Sequence, residues 1–298
     1  SDVCPEIREY ERFTTTVVNA YIKPLMSNYL KKLDQKLLNS GFNCPLLLMT
    51  SGGTLTNISS ACNNPVRLVE SGPAGGAILA TSIAEDMNLN KVISFDMGGT
   101  TAKITIIENK KAIKAREFEV DRKARFKKGS GYPLRIPVIE MVEIGAGGGS
   151  IARVNKLDQI ITGPDSAGSF PGPACYSNGG SMPTITDADL VIGKINPDNF
   201  AGGKIKLSKQ LADKAITENI VKFVNIDTNI AALAISEIVD ETMSNAARVH
   251  TVEQGHETSN RTLIAFGGAA PLHIARVAEK LRVSNVIIPT NASVGSAV

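Results

Sequence analysis

The stretch Val92-Ile-Ser-Phe-Asp-Met-Gly-Gly-Thr-Thr-Ala-Lys-Ile-Thr-Ile-Ile107 decides the fold of this chain. Its two β-rich apolar runs flank a short polar turn, so it predicts two paired strands. The two adjacent glycines let backbone N–H groups approach an anion closely, and the two threonines add hydroxyl donors. A plain glycine hairpin would need neither the carboxylate nor the threonines. The turn therefore favours a phosphate-binding cradle in which Asp96 holds a hydrated Mg²⁺.

A second glycine pair stands in Thr262-Leu-Ile-Ala-Phe-Gly-Gly-Ala-Ala-Pro-Leu-His273, which predicts a strand, a glycine corner and a helix that ends at Leu281. In an open α/β sheet, ligands bind at the carboxyl end of such a strand. Gly267 and Gly268 would leave room there for a ribose or a flat ring. We expect the two glycine corners to grip opposite ends of one nucleotide. For His273 at the start of the helix, a structural imidazole is the more frequent case.

Hydrophobic periodicity predicts the remaining elements. Residues Glu6 to Ser40 follow a helical pattern that Pro24 should kink or divide. The longest periodic helix is predicted from Asp227 to His250, and Val66 to Val69 is expected to form a short strand. The inner face of that longest helix is predicted to comprise Ile230, Leu233, Ala234, Ile238, Met243 and Ala247. A further helix should begin with Asp187 as its N-cap and Asp189 in its first turn, which is a sufficient structural role for both carboxylates.

The run Gly145-Ala-Gly-Gly-Gly-Ser150 allows a backbone to press against a ligand or another backbone. It does not match the dinucleotide-binding pattern, because no helix is predicted after it. Ser150 lacks the Gly-x-Ser-x-Gly elbow of serine hydrolases. The long segment from Gly163 to Gly180 is typical of a functional loop or a stiff connector, and Cys175 within it is expected to be a buried structural thiol.

Composition narrows the class of protein. The length of 298 residues favours two subdomains, and the hydrophobic fraction of 43% is typical of a globular protein. The net charge of +3 is too small to support nucleic-acid binding. No apolar run is long enough for a membrane span. Four cysteines without a CxxC pair predict free thiols in a reducing, cytoplasmic setting. The basic run from Arg122 to Lys128 is typical of a solvated loop. The first residue, Ser1, and the final Val298 suggest a piece of a longer protein.

Several ordered blocks together resemble the hydantoinase A / 5-oxoprolinase family over nearly the whole chain. They are Glu6-Ile-Arg-Glu-Tyr-Glu-Arg-Phe-Thr-Thr-Thr, Ser94-Phe-Asp-Met-Gly-Gly-Thr-Thr, Ile144-Gly-Ala-Gly-Gly-Gly-Ser-Ile-Ala152, Gly163-Pro-Asp-Ser-Ala-Gly-Ser-Phe-Pro-Gly-Pro-Ala-Cys-Tyr176 and Ala265-Phe-Gly-Gly-Ala-Ala-Pro-Leu-His273. The resemblance implies an α/β, actin-like ATPase fold of the hsp70–actin–sugar kinase type, with RNase H-like lobes of mixed sheets flanked by helices. It also implies ATP and Mg²⁺ as cofactors.

The resemblance also implies a set of site residues. The second phosphate loop would comprise Asp96, Gly98, Gly99, Thr100 and Thr101, with Asp96 as the metal ligand and with Asp96 and Thr100 catalytic. The adenosine loop would comprise Gly267, Gly268 and Ala269. Candidates on the substrate side are Glu140, Gly147, Gly148, Ser150, Asp187, Asp189 and His273. The shared chemistry would be phosphorylation of an amide or carbonyl oxygen.

The function that this implies is ATP-dependent hydrolysis of a cyclic amide, a hydantoin or 5-oxoproline, by an amidohydrolase of the EC 3.5.2 type. One alternative is the nucleotide-binding subunit of an acetone- or acetophenone-type carboxylase, and another is a non-enzymatic actin-like assembly module. We expect a second subunit of hydantoinase B type, in a homo- or hetero-oligomer.

The chain departs from the family pattern at Ala270, at Ser51-Gly52 and at Glu140, where Gly, Ser-Asn and Asp are usual. It also has one DxGGT loop where the family carries another in an N-terminal region, so the chain by itself is expected to be inactive. We therefore expect residues 1–298 to be a hydantoinase A domain. Residues 1–120 with 245–298 would form the nucleotide-binding lobe, and 121–244 would form a subdomain inserted on the substrate side.

Overall fold

The computed structural model describes residues 2–121 and 129–297, so the basic run from Arg122 to Lys128 lies outside the described residues. The helices are α1 (Glu9–Asn39), α2 (Ile58–Asn63), α3 (Ser71–Asp86), α4 (Ile185–Val191), α5 (Lys209–Ile216), α6 (Lys222–Val224), α7 (Thr228–Glu253) and α8 (Ala270–Leu281). The strands are β1 (Leu47–Met49), β2 (Leu55–Asn57), β3 (Lys91–Met97), β4 (Ala102–Glu108), β5 (Lys111–Ala112), β6 (Lys114–Ala115), β7 (Phe118–Val120), β8 (Tyr132–Leu134), β9 (Val138–Ile139), β10 (Met141–Ile144), β11 (Ser150–Val154), β12 (Ile160–Ser166), β13 (Thr262–Phe266) and β14 (Asn285–Ile287).

The chain divides into two compact units. The first comprises Ser1–Glu85 and Lys111–Glu140 with the last residues from Ser296, and the second comprises Asp86–Lys110 and Met141–Gly295. These limits differ from the predicted ones, in which residues 1–120 with 245–298 form one lobe and residues 121–244 form the other. That one lobe binds the nucleotide and the other lies on the substrate side stays a prediction. None of the helices in the described ranges is long and apolar enough to cross a membrane.

The second unit is built on a mixed sheet with the strand order β10-β4-β3-β13-β14. Strands β3 and β4 form the predicted antiparallel hairpin, and β13 runs parallel to both β3 and β14. Side chains at alternate positions, such as Ile93, Phe95 and Met97, enter one core with the buried faces of α4, α5, α7 and α8. The opposite alternation puts Ser94 and Asp96 on the other face of the sheet. The candidate site lies next to Asp96, at the turn between β3 and β4.

The first unit contains α1, which is one continuous helix with Pro24 inside it. Its inward face combines apolar side chains, among them the buried Leu30, with polar ones. Asn19 accepts a hydrogen bond from the Val66 N–H, and the Thr15 hydroxyl accepts one from the Arg135 N–H. The outward face carries exposed large apolar residues, namely Tyr10, Phe13, Val17, Tyr21, Leu25 and Tyr29. Periodicity therefore predicted the helix but not which side of it is buried.

Three other local predictions were wrong. The predicted strand from Val66 to Val69 is a 3₁₀ turn over Pro65–Leu68, because Pro65 fixes a helical φ at the start of the run. The prediction for α7 was wrong only in part, because Met243 and Ala247 are buried as predicted whereas Ile230 and Leu233 are exposed. The other buried residues of α7 are Ala231, Ala232, Ile235, Ser236, Val239, Asp240, Ser244, His250 and Thr251. The N-cap of α4 is Thr184, and Asp187 is the third helical residue, whose carboxylate accepts the Thr184 N–H in a capping box. Asp189 lies beyond the first turn of the helix.

Candidate nucleotide site

The turn between β3 and β4 is an open cradle. Its ends are fixed by the antiparallel register, in which Met97 pairs with Ala102, and by a hydrogen bond from the Gly98 N–H to the Thr101 carbonyl at 3.1 Å. A Cβ atom built on Gly98 or Gly99 would meet nothing within 4 Å. A cavity of about 200 Å³ opens here, and its lining residues are Asp96, Gly98, Gly99, Thr100, Thr101 and Lys103. The turn thus presents backbone to open space, as a phosphate cradle requires.

The glycine run before β11 holds this turn from behind. The Gly148 N–H donates to the Gly98 carbonyl at 3.0 Å, and the Gly149 N–H donates to the Gly99 carbonyl at 2.7 Å. Gly147 lies so close that a Cβ on it would stand 2.5 Å from the Thr100 nitrogen. Both carbonyls of the glycine pair are therefore turned into the protein. The N–H groups of Gly99 and Thr100 have no acceptor among the described residues, which leaves them for an anion.

The second glycine corner lies directly beside the first. Strand β13 pairs with β3 so that Phe266 is opposite Asp96, and the next residue, Gly267, adopts a positive φ of 87°. A Cβ on Gly267 would lie 2.5 Å from the Met97 carbonyl oxygen and 2.7 Å from Asp96 Oδ1. The Ala269 N–H donates to that same Met97 carbonyl at 2.9 Å. The structure therefore brings together the two motifs that the sequence separates by more than a hundred residues.

Charged side chains form a row across the sheet at the cradle. Lys103 on β4 pairs in register with Asp96 on β3 and with Glu143 on β10. Its ammonium group donates to Thr101 Oγ1 at 2.8 Å and lies 3.1 Å from Glu143 Oε1. Partial burial raises the pKa of Asp96, and the positive charge of Lys103 acts against that rise. Lys103 was not predicted from the sequence, although its place two residues beyond Thr101 puts both side chains on the same side of the chain where it enters β4.

Asp189 and His273 belong to a different, buried cluster between α4, α7 and α8. His273 Nδ1 lies 2.8 Å from Asp240 Oδ1, and His273 Nε2 lies 3.1 Å from Asp189 Oδ2 in a close charge contact. The Ser236 hydroxyl donates to Asp189 Oδ1 and accepts a hydrogen bond from Lys194 Nζ. Burial acts to lower the pKa of His273, but the two carboxylates more than offset this and raise it to about 9. The cluster therefore places the His273 ring between two carboxylates, and Asp240 was not foreseen.

Asp187 and Ser150, two further substrate-side candidates, are both buried. Asp187 accepts hydrogen bonds from the N–H groups of Ala174, Cys175 and Thr184 and from the Thr184 hydroxyl. The Ser150 Oγ accepts a hydrogen bond from the N–H of Gly147. Substrate-side roles for these residues stay predictions.

Gly148 contacts α4, because its carbonyl accepts hydrogen bonds from both the N–H and the hydroxyl of Thr186. Glu140 belongs to the first unit, where its N–H donates to the Ile113 carbonyl. Cys175 is buried, as predicted, and burial next to the Asp187 carboxylate raises the pKa of its thiol strongly. Such a thiol is a poor nucleophile.

The donor set at the cradle fits Mg²⁺ bound together with phosphate. Within residues 2–121 and 129–297, no group of three or more His, Cys, Asp or Glu side chains could hold a metal ion by themselves. Mg²⁺ usually takes one or two carboxylates and fills its other positions with water and substrate phosphates. Asp96, at the rim of the cavity beside open N–H groups, is such a carboxylate. A metal at this position would depend on the anion it accompanies.

Comparison with known proteins gives matches over nearly the whole chain. The sequence model described as Hydantoinase/oxoprolinase matches residues 12–298. Among curated proteins, the chain is 35% identical over 292 residues to caprolactamase subunit alpha of Pseudomonas jessenii, covering 98% of this chain and 41% of that protein. It is 34% identical over 276 residues to the acetophenone carboxylase gamma subunit of Aromatoleum aromaticum, covering 92% of this chain and 36% of that protein. An uncharacterized protein of Methanocaldococcus jannaschii is 44% identical, with 99% of this chain and 44% of that protein covered.

Solved structures give the same result for the fold. A nucleotide-free acetone carboxylase superposes with a TM-score of 0.86 at 27% identity, over 99% of this chain and 40% of that one. The ATP-dependent caprolactamase from Pseudomonas jessenii superposes with a TM-score of 0.79 at 33% identity, over 99% of this chain and 42% of that one. The predicted family resemblance and the predicted α/β, actin-like ATPase fold are confirmed. The chain spans less than half the length of each of these relatives.

Proposed function

Because the chain belongs to the hydantoinase/oxoprolinase family, we propose that it is the nucleotide-binding part of an enzyme that uses Mg-ATP to phosphorylate the amide oxygen of a cyclic amide. The observation that supports this most is the cradle between β3 and β4, where open N–H groups, two hydroxyls and one carboxylate line a cavity beside Gly267. Relatives named caprolactamase and 5-oxoprolinase act on ring amides by name. A proposed cytoplasmic setting fits the use of ATP and the four free cysteines.

In this proposal the residues of the cradle have distinct roles. The N–H groups of Gly99 and Thr100 and the hydroxyls of Thr100 and Thr101 bind phosphate oxygens. Asp96 holds Mg²⁺ through one carboxylate oxygen. The Gly267–Ala269 corner, whose Gly268 has open space where a side chain would stand, accepts the nucleoside end of the ligand. Fixed donors of this kind stabilise charge that develops in a phosphoryl-transfer transition state.

The chemistry that Mg-ATP supplies when bound is a transferable phosphoryl group. The protein contributes orientation, since the loop of Gly147, Gly148 and Gly149 fixes the turn through backbone hydrogen bonds before any ligand arrives. Phosphorylation of the amide oxygen makes the ring carbon more electrophilic, so water can add to it. The ring C–N bond then breaks as the nitrogen takes a proton, and a second water hydrolyses the resulting acyl phosphate to a carboxylate and phosphate. We place that hydrolysis outside the residues of the cradle. A second subunit, proposed to be of hydantoinase B type, would supply the groups that activate water.

An acetone- or acetophenone-type carboxylase subunit is the second candidate. It is favoured by the 34% identity to the acetophenone carboxylase gamma subunit and by the TM-score of 0.86 to acetone carboxylase. The two candidates share the activation of an oxygen atom by phosphorylation and differ in the second reactant, which is water for the hydrolase and bicarbonate for the carboxylase. We would assay the complete gene product, with the subunit encoded beside it, for ATPase activity stimulated by hydantoins, 5-oxoproline, caprolactam, acetone or acetophenone. If only a ketone together with bicarbonate stimulates the ATPase activity, and none of the cyclic amides does, the carboxylase proposal replaces the cyclic-amide proposal.

The first prediction concerns Asp96. In the complete gene product, Asp96→Asn should lower Mg-ATP turnover by at least about a hundredfold, since Asn is a far weaker Mg²⁺ ligand than a carboxylate. Its thermal unfolding should stay cooperative, because the side chain lies at the rim of a cavity. Asp86→Asn, an exposed change of equal charge at the end of α3, is the matched control. Unchanged turnover in Asp96→Asn would remove Asp96 from the mechanism.

A further inference from the structure

Lys103 stands at the centre of the charged row, between the Asp96 carboxylate at the rim of the cavity and the Glu143 carboxylate on the neighbouring strand β10. Asp96, Lys103 and Glu143 are consecutive cross-strand neighbours on β3, β4 and β10, so their side chains share one face of the sheet. The two outer members differ in their surroundings. Asp96 is partly buried, whereas the Glu143 side chain is 46% exposed.

The ammonium group of Lys103 is held toward the cavity. Its side chain is only 20% exposed, and it donates to Thr101 Oγ1, an atom of the cradle itself. An ammonium group has three N–H donors, and Thr101 and Glu143 take up two of them in this structure. The group is thus oriented by the turn and available to another anion in the cavity.

We propose that Lys103 binds the phosphate groups of a nucleoside di- or triphosphate at this hairpin, and that Glu143 holds its ammonium group until the ligand arrives. This rests on the proposed function and adds to it a residue and a local rearrangement. A polyphosphate beside Asp96 brings several negative charges next to a carboxylate, and a fixed cation in the same cavity offsets that repulsion. Glu143 can give up its ion pair at little cost, because a half-exposed carboxylate is readily solvated by water.

The test is a double-mutant cycle that is read out by binding. Calorimetric titration with Mg-ADP and with Mg²⁺-free pyrophosphate would be done on the complete gene product, in its unmodified form and as Lys103→Met, Glu143→Gln and the double variant. Lys103→Met should bind both ligands about tenfold more weakly, since a charge-assisted contact to phosphate is lost. Glu143→Gln should bind them more tightly, because the ammonium group is then free. In the Lys103→Met background, that gain should disappear.

Two control variants test whether a loss of binding is specific to the positive charge of Lys103. Lys91→Met removes one positive charge from an exposed position at the other end of β3, and it should leave both affinities unchanged. Lys103→Arg keeps the charge and should retain most of the binding, which separates loss of the cation from loss of the fold. Thermal unfolding of each variant checks that the hairpin is intact.

The outcomes separate this inference from the function on which it rests. If the unmodified complete gene product binds the ligands and the Lys103→Met variant binds them with equal affinity, the role of Lys103 is overturned and the nucleotide site stands. An equal gain from Glu143→Gln in both backgrounds shows a through-space charge effect and overturns the exchange of partners. Absence of binding of either ligand by the unmodified complete gene product overturns both proposals.

Discussion

Gly99 belongs to the turn between β3 and β4, and Gly147 packs against the back of that turn. The surroundings of the two glycines differ. A Cβ on Gly147 would stand 2.5 Å from the Thr100 nitrogen and 2.6 Å from the Gly99 carbonyl carbon. A Cβ on Gly99 would meet nothing within 4 Å. Neither residue needs a positive φ. The same substitution therefore probes packing behind the turn at one position and ligand access in front of it at the other.

We expect Gly147→Ala to lower the free energy of unfolding by about 2–3 kcal/mol, because the added methyl group meets backbone atoms that cannot rotate away. Gly99→Ala should change that free energy by less than about 1 kcal/mol but weaken Mg-ADP binding, since its methyl group projects into the cavity. Urea denaturation and calorimetric titration measure the two effects. Equal stability losses in both variants would contradict the close packing of Gly147 on the turn.

The residues of the cradle could be predicted from sequence because their chemistry is local. A carboxylate, a glycine pair and two threonines within one hairpin turn specify an anion site without reference to the rest of the chain. Lys103 and Asp240 were missed for a different reason. Their importance comes from neighbours on other strands and helices, and a lysine in a strand or an aspartate in a helix has no local feature that indicates such neighbours.

At the scale of elements, α4 depends on one buried carboxylate. Asp187 closes the capping box with Thr184, and it also accepts the N–H groups of Ala174 and Cys175 from the preceding loop. A short helix is only marginally stable by itself. The carboxylate therefore ties the start of α4 to the loop that precedes it, and the loop supplies the donors that keep the buried charge satisfied.

We expect Asp187→Asn to cost about 3 kcal/mol of stability, because the amide nitrogen would face N–H donors and leave buried groups unpaired. Thr184→Ala, which removes a cap but no charge, should cost about 1 kcal/mol. Chemical denaturation monitored by far-UV circular dichroism gives both values. A smaller loss in Asp187→Asn than in Thr184→Ala would show that the loop contacts contribute little.

The phase of α7 shows where sequence periodicity is not sufficient. The pattern predicted Ile230 and Leu233 on the buried side, yet both are exposed, while Ala231, Ala232 and Ser236 are buried. Small side chains allow α4 and α8 to lie close to α7, and Asp240 is buried there because His273 pairs with it. Hydrophobicity alone cannot indicate a face whose burial depends on small size and on a charged partner from another helix.

At the scale of the molecule, the chain is two compact units within a family whose matched members are more than twice as long. The second unit alone holds both glycine corners and the buried His273 cluster. That cluster links α4, α7 and α8, the helices of the unit's main core, through an imidazolium with two carboxylate neighbours. The stability of this unit should consequently depend on pH in a range set by one group.

The raised pKa of His273 sets the sign of the pH dependence of this unit's stability. The pKa of His273 is raised from 6.5 to about 9 in the folded chain, so its stabilising charge is fully present below about pH 6.5 and is lost as pH rises through about 9. One pKa unit corresponds to about 1.4 kcal/mol, so the full loss would be about 3 kcal/mol. Urea denaturation of the chain between pH 6 and pH 9.5 should show this decline. His273→Gln should flatten it, and His256→Gln, at a histidine that is only partly exposed near Glu108, should keep it. A decline of equal size in His273→Gln would mean that other groups cause the pH dependence and that His273 does not carry the buried charge.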